Sequence, residues 1–187
     1  MKKIAVVYHS GYGHTEVQAK HILKGTEGVD GIEAKLFKAE DVTETPEKLN
    51  DYDGIIFGSP TYLGSVSASF KAFMEASSKL WGERKWLNKI AAGFTNSHSH
   101  SGDKLNSIMQ LVVFAAQHGM IWVGVSDLNE SPDDNMGDPE AVNRLGSWLG
   151  LMAQSDNASP EVTPPSGDLK TAELLGKRVA EITLRMQ

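Results

Sequence analysis

The residues of this chain best suited to chemistry are small hydroxyls, glycines and a few aromatics, gathered in three short stretches. The first is Ser10-Gly11-Tyr12-Gly13-His14-Thr15. It follows an apolar, β-branched run and precedes a helical pattern. A strand that hands over to a helix through such a loop leaves a row of backbone N–H groups unsatisfied, and the helix dipole adds partial positive charge there. No Lys or Arg lies within the loop. The implied ligand is one phosphate held by neutral donors, with the Ser10 and Thr15 hydroxyls adding to the backbone. Two other phosphate loops are excluded. The dinucleotide fingerprint needs a third glycine where Glu16 stands, and Gly-Lys-Ser/Thr occurs nowhere in the chain. The plainer alternative is a strand-to-helix turn with glycines for tight geometry.

The second stretch is Ser59-Pro60-Thr61-Tyr62-Leu63-Gly64, and the third is Thr95-Asn96-Ser97-His98-Ser99-His100-Ser101-Gly102. The second offers an aromatic, Tyr62, on a loop stiffened by Pro60. The third offers many backbone and hydroxyl donors. Together the three suit a planar heterocycle joined to a phosphate by a polyol tail, which describes FMN. No metal is expected. His98 and His100 with Asp103 lack the rest of a closed coordination set. The oxygen pattern Asp127, Asn129, Ser131, Asp133 has Pro132 where a calcium loop needs glycine.

These stretches need elements to position them, and strand-like runs alternate with helical ones along the chain. Strands are expected at Ile4–His9, Ile32–Phe37, Gly54–Gly58, Ile90–Thr95 and Met120–Val125. Gly54–Gly58 is continuously apolar and so buried on both faces. Helices are expected at 15–25, 66–80, 103–118 and Leu169–Met186, from apolar residues recurring at spacings of three and four. Phe70, Phe73, Met74, Ser77 and Leu80 mark the second of these. Leu105, Ile108, Met109, Val112 and Ala116 mark the third. Asp41–Tyr52 reads as a polar connector with a short helix after Pro46. Ser126–Gly167 is a long polar stretch with an apolar island at Leu145–Met152. Such alternation predicts an α/β fold, a doubly wound parallel sheet with helices on both faces. Ligands of such sheets bind outside the carboxyl ends of the strands. The three chemistry-bearing stretches follow strands one, three and four.

The chain has 187 residues, 40% hydrophobic and 22% charged, a globular composition for which one domain over residues 1–187 is expected, with a polar excursion at 126–167. A net charge of −6 argues against a nucleic-acid footprint and against an anionic membrane surface. With no cysteine, thiolate nucleophiles, disulfides and cysteine metal sites are excluded. The N-terminal apolar run is too short for a signal peptide, and no run is long enough to span a bilayer. A soluble, cytoplasmic protein is expected.

At these spacings the three stretches resemble the flavodoxin-like superfamily, and within it the WrbA family of NAD(P)H:quinone oxidoreductases. The resemblance rests on Ser10–Thr15, on Phe57-Gly58-Ser59-Pro60-Thr61 with Gly64, on Leu80-Trp81 and on His118-Gly119-Met120. It implies a five-stranded sheet of order 2-1-3-4-5, bound FMN, and two-electron quinone reduction by NADH or NADPH in a ping-pong cycle. It also implies a homo-dimer or homo-tetramer. Ser10, Gly11, Tyr12, Gly13, His14 and Thr15 would contact FMN. So would Pro60, Thr61, Tyr62, Leu63 and Gly64, and Thr95, Asn96, Ser97, His98, Ser99, His100 and Ser101. His118 would approach the flavin ring as the catalytic residue, against the alternative that it caps a helix C-terminus. Tyr12 would meet the nicotinamide nucleotide, while Trp81 and Tyr62 would border the quinone. A flavodoxin-type electron carrier and an NAD(P)H-dependent FMN reductase are the alternative functions. The chain departs from the family in its short Phe37–Leu49 segment and in its serine- and histidine-rich third loop.

Overall fold

Strand β1 (Lys2–Tyr8) lies parallel between β2 (Ile32–Lys38) and β3 (Gly54–Tyr62) in a computed structural model that describes residues 1–186. Next to β3 comes β5 (Ile90–Ser97), then β6 (Ile121–Trp122), so the sheet runs β2-β1-β3-β5-β6. This is the expected order. The short β4 (Ser65–Val66) folds back antiparallel on the end of β3. Parallel strands covered on both faces carry unbroken apolar runs, and Ile4–Val7 and Ile55–Phe57 are all fully buried.

Helices α1 (His14–Glu27) and α6 (Ser166–Arg185) cover one face. Helices α2 (Ala39–Thr43), α3 (Ala68–Ala76), α4 (Ser78–Gly82) and α5 (Lys104–Gln117) cover the other. On the second face Phe57, Phe70, Phe73, Trp86 and Phe114 form an aromatic cluster with ring centroids 5.3–6.5 Å apart. On the first, Ile22 of α1 meets Leu175 and Val179 of α6 over Ile4 and Ile56. Two glycines let those helices touch backbone to backbone. A Cβ on Gly25 would run into the Glu173 carbonyl, and one on Gly176 into the Ile22 carbonyl.

Several expectations need correcting. Strand three does not stop at Gly58. Ser59–Tyr62 continue it, with Ser59 and Pro60 paired to Thr95 and Asn96 and Thr61 paired to Val66. The helix expected over 66–80 is two helices, α3 and α4, broken at Ser77, whose hydroxyl donates to the Met74 carbonyl at 2.8 Å. The buried side of α5 is Ile108, Leu111 and Ala115, whereas Leu105 and Met109 face out. The last helix ends at Arg185, and Met186, expected on its buried stripe, is exposed.

The largest departure concerns strand five. Of Met120–Val125 only Ile121 and Trp122 pair with β5, at Ile90 and Ala91. The upper half of that edge is filled by β7 (Leu151–Gln154), paired with Phe94–Ser97. Its first residues come from the apolar island inside the polar stretch. The edge strand is thus made in two halves, with residues 123–150 looping out between them.

Replacing Gly176 by Val forces α1 and α6 apart, at a cost of about 1–3 kcal/mol or more. Urea unfolding should show a lower midpoint for Gly176→Val. Gly82→Ala, whose Cβ meets nothing within 4 Å, should leave it nearly unchanged.

Candidate functional site

The three stretches meet with a fourth at the carboxyl ends of β1, β3, β5 and β7. They enclose a cavity of about 560 Å³. Its wall contains Gly11, Tyr12, His14 and Thr15 from the first stretch and Pro60, Thr61 and Tyr62 from the second. Asn96, Ser97 and His98 come from the third. Ser155–Ala158, which follow β7, complete it.

The first stretch is shaped for an anion. Gly13 precedes α1 in the left-handed region, with φ 92°, and α1 has no side-chain cap. Its first-turn N–H groups therefore have no side-chain acceptor at the cavity wall. A Cβ on Gly13 would meet Pro160 Cγ at 2.8 Å, and one on Gly11 would strike the Tyr62 hydroxyl. The wall holds no Lys or Arg, so every donor to an anion there is a backbone amide, a hydroxyl, an amide side chain or an imidazole. The Ser10 hydroxyl accepts from the Gly13 N–H at 3.0 Å and so fixes the turn, which leaves its own O–H as a donor.

Tyr12 and Tyr62 stand at the mouth, ring centroids 6.4 Å apart in an edge-on arrangement. Tyr12 is 78% exposed. Burial first, then the neighbouring Tyr12, raises the Tyr62 phenol pKa, while the Gly11 N–H donated to it acts the other way. Tyr62 therefore stays a neutral phenol at neutral pH.

The fourth wall is tied to the others. His14 Nε2 pairs with the Ala158 carbonyl at 2.9 Å, and His98 Nδ1 with the Ser155 carbonyl at 3.1 Å. Ser155 donates from its N–H to the Ser97 carbonyl and from its hydroxyl to Asn96 Oδ1, both at 3.0 Å. Behind this wall Arg144 makes a bidentate pair with Asp168 at 2.8 and 3.0 Å, both side chains 2% exposed. Asp168 also accepts from the Gln154 N–H at 2.9 Å. The pair thereby fastens the end of β7 to the first turn of α6.

Not every expected residue lines the cavity. Leu63 and Gly64, with φ 48° and 77°, are the two-residue turn between β3 and β4, and Leu63 is fully exposed. Thr95 is wholly buried, its hydroxyl paired with Thr61 Oγ1 at 2.8 Å. Ser99 is exposed outside the wall, while His100 and Ser101 border a surface groove with Leu105 and Met109. His118 does not reach the cavity of its own chain. It is 2% exposed, pairs through Nε2 with Ser77 Oγ at 3.0 Å, and lies over Trp86 at 4.3 Å. Burial, and secondarily Arg84, lowers its pKa to about 4, so it is neutral at neutral pH. With Trp81 it borders a separate cavity of about 390 Å³.

Ser155–Ala158 lie outside the three stretches to which the sequence points. The rule that sites follow strand ends reaches them once the apolar island Leu145–Met152 is seen to hold the start of β7. Among the described residues no group of three or more His, Asp or Glu could hold a metal ion. No helix among them is long and apolar enough to cross a membrane.

This geometry agrees with comparisons to known proteins. Residues 9–131 match the model of the family described as NADPH-dependent FMN reductase. The chain belongs to that family, as a WrbA-type, flavodoxin-like member. It is 39% identical, over 97% of both chains, to flavodoxin FldP of Pseudomonas aeruginosa (strain UCBPP-PA14). It is 31% identical, over the full length of both, to an NAD(P)H dehydrogenase (quinone) of Archaeoglobus fulgidus. The crystal structure of the flavodoxin, WrbA-like protein from Agrobacterium tumefaciens superposes with a TM-score of 0.75 at 38% identity, covering all of both chains. The cavity fits the FMN that names the family: an uncapped helix start with room only for glycine at Gly13, hydroxyls and an amide beyond it, and aromatic rings at the mouth.

Arg144→Ala leaves the Asp168 carboxylate buried without its partner. We expect a loss of about 3–5 kcal/mol in chemical unfolding and faster proteolytic cleavage within residues 126–160.

Proposed function

We propose that this FMN-linked NAD(P)H oxidoreductase reduces quinones by two electrons in two half-reactions at one site. NADH or NADPH and then a quinone would use the same cavity in turn. The overall change is NAD(P)H plus a proton plus quinone to NAD(P)⁺ plus hydroquinone. The observation that carries this reading is the half-open cavity with Tyr12 and Tyr62 at its mouth, beside a cation-free anion loop. Flat apolar edges suit both a nicotinamide and a quinone ring.

FMN, when bound, supplies the hydride acceptor and the two-electron donor. The chain's own residues hold and orient it. Amides of Tyr12, His14 and Thr15 and the Ser10 and Thr15 hydroxyls would hold the phosphate. Thr61 and Asn96 would meet the middle of the molecule, Asn96 through an amide nitrogen left free when its Oδ1 accepts from Ser155. Pro60, Ser97 and His98 would border the ring, and Tyr62 would pack against it. Trp81, 48% exposed, and His118 behind it would join a substrate pocket only through a second copy, in the homo-dimer or homo-tetramer that the family resemblance implies. Neutral and buried, His118 is suited to packing and hydrogen bonding there, not to supplying a proton.

A flavodoxin-type electron carrier is the second reading, favoured by the 39% identity to a flavodoxin. Purified protein loaded with FMN should oxidise NADH or NADPH rapidly only when benzoquinone is present. Varying both substrates should give the parallel-line pattern of a two-stage cycle. Bound flavin without such turnover would establish the carrier instead. Flavin that dissociates in every cycle would point to an FMN reductase. Tyr62→Ala should raise the KM for benzoquinone by about tenfold, the loss of one ring contact, with less change in kcat.

A further inference from the structure

Lys104 opens α5 and is 1% exposed. Lysines are almost never so deeply buried unless paired with a carboxylate, and no ion pair to Lys104 exists among the described residues. The first turn of a helix is also the wrong place for a cation, because the dipole presents its positive end there. The ammonium is nevertheless fully satisfied. Its three donors reach Ser97 Oγ at 2.9 Å, the Ser99 carbonyl at 2.7 Å and the His100 carbonyl at 2.7 Å. The loop is wound tightly around it: Ser97 Oγ donates to the Ser99 carbonyl at 3.0 Å, and Gly102 and Asp103 both adopt positive φ.

All three acceptors belong to the third loop, and Ser97 together with the adjacent His98 lines the cavity. We propose that Lys104 is a positioning residue for the cofactor: its buried ammonium winds residues 97–100 into the shape that presents Ser97 and His98 to FMN. The inference rests on the FMN reading above and adds to it a residue that touches the loop and not the ligand. A purely structural lysine would sit as well in any wall of the molecule. This one gathers carbonyls only from a loop that contributes to the site.

The charge on Lys104 is also placed to be lost under mild conditions. Burial lowers its pKa to about 8; Asp168 opposes that fall and Arg144 adds to it. Its own loop carries His98, His100 and Asp103. Above about pH 8 the amine keeps two donors for three acceptors, and the loop loosens.

The test is FMN affinity, read by quenching of flavin fluorescence as apoprotein is added. For the wild-type chain, the dissociation constant should rise several-fold between pH 7 and pH 9, centred near pH 8. Lys104→Met should weaken binding by about tenfold at pH 7, the loss of a charge-assisted bond, and abolish the pH step. Lys104→Arg, which stays charged, should bind better than Lys104→Met and show no step. A Lys104→Met protein with wild-type affinity, or a wild-type affinity flat from pH 7 to pH 9, overturns the proposal. The second measurement needs no variant and decides the matter even if Lys104→Met does not fold. Wild-type protein that fails to bind FMN at pH 7 overturns the FMN reading itself, and this inference with it.

Discussion

Burial of the central strands on both faces is the constraint from which the rest of this molecule follows. In β1, β3 and β5 the backbone N–H and C=O groups are taken up by the ladder, and the side chains are packed under helices on either side. Free polar groups are left only where the strands stop. The parallel direction puts those stops on one edge, so loops far apart in the chain arrive side by side. Neutral groups do much of the work of joining them. Their hydroxyls satisfy one another, as Thr61 does with Thr95 and Ser107, and Ser59 with Ser67. What remains unpaired is the start of α1, and that is where an anion gains most.

The two-part edge strand is the largest departure from this plan. Paired to β5 only at Ile121 and Trp122, the chain leaves the sheet and returns at Leu151, after which Ser155–Ala158 close the cavity. A segment that departs and returns needs something to fix where it re-enters. The Arg144–Asp168 pair with Gln154 does that, joining the excursion, β7 and α6 at one point. The attraction within a buried pair of this kind is largely offset by desolvation, whereas removal of one partner alone is costly because it leaves the other charge buried.

Much of this was legible in the residues. Gly54–Gly58 reads as a buried strand because each side chain there is apolar or absent. The Phe70, Phe73, Leu80 spacing shows which side of α3 and α4 faces inward. The parallel sheet and the loops at its strand ends followed from the alternation, and the order of the strands from the family resemblance. Other features were hidden for physical reasons. Ser59–Tyr62 look like a loop because their hydroxyls are satisfied by neighbours distant in sequence. The buried side of α5 was misjudged because that helix is apolar nearly all round, so Leu105 and Met109 fit one face as well as Ile108 and Leu111 fit the other. Half a strand inside a polar stretch carries too few residues to show a period. His118 looked catalytic beside Gly119 and Met120, yet its surroundings are aromatic rings and Ser77, with Nδ1 unpartnered.

The contact between α1 and α6 bears on how the protein is made. The helix that begins at the anion loop is covered by α6, which is synthesised well after it, with Gly25 and Gly176 bringing their main chains together. Asp168, which pins the final wall, also belongs to that late segment. A nascent chain that has produced β1 and its glycine-rich turn therefore holds only an open half-cradle. The cradle becomes whole only once α6 has been made, so the order of synthesis leaves the site open until that helix docks.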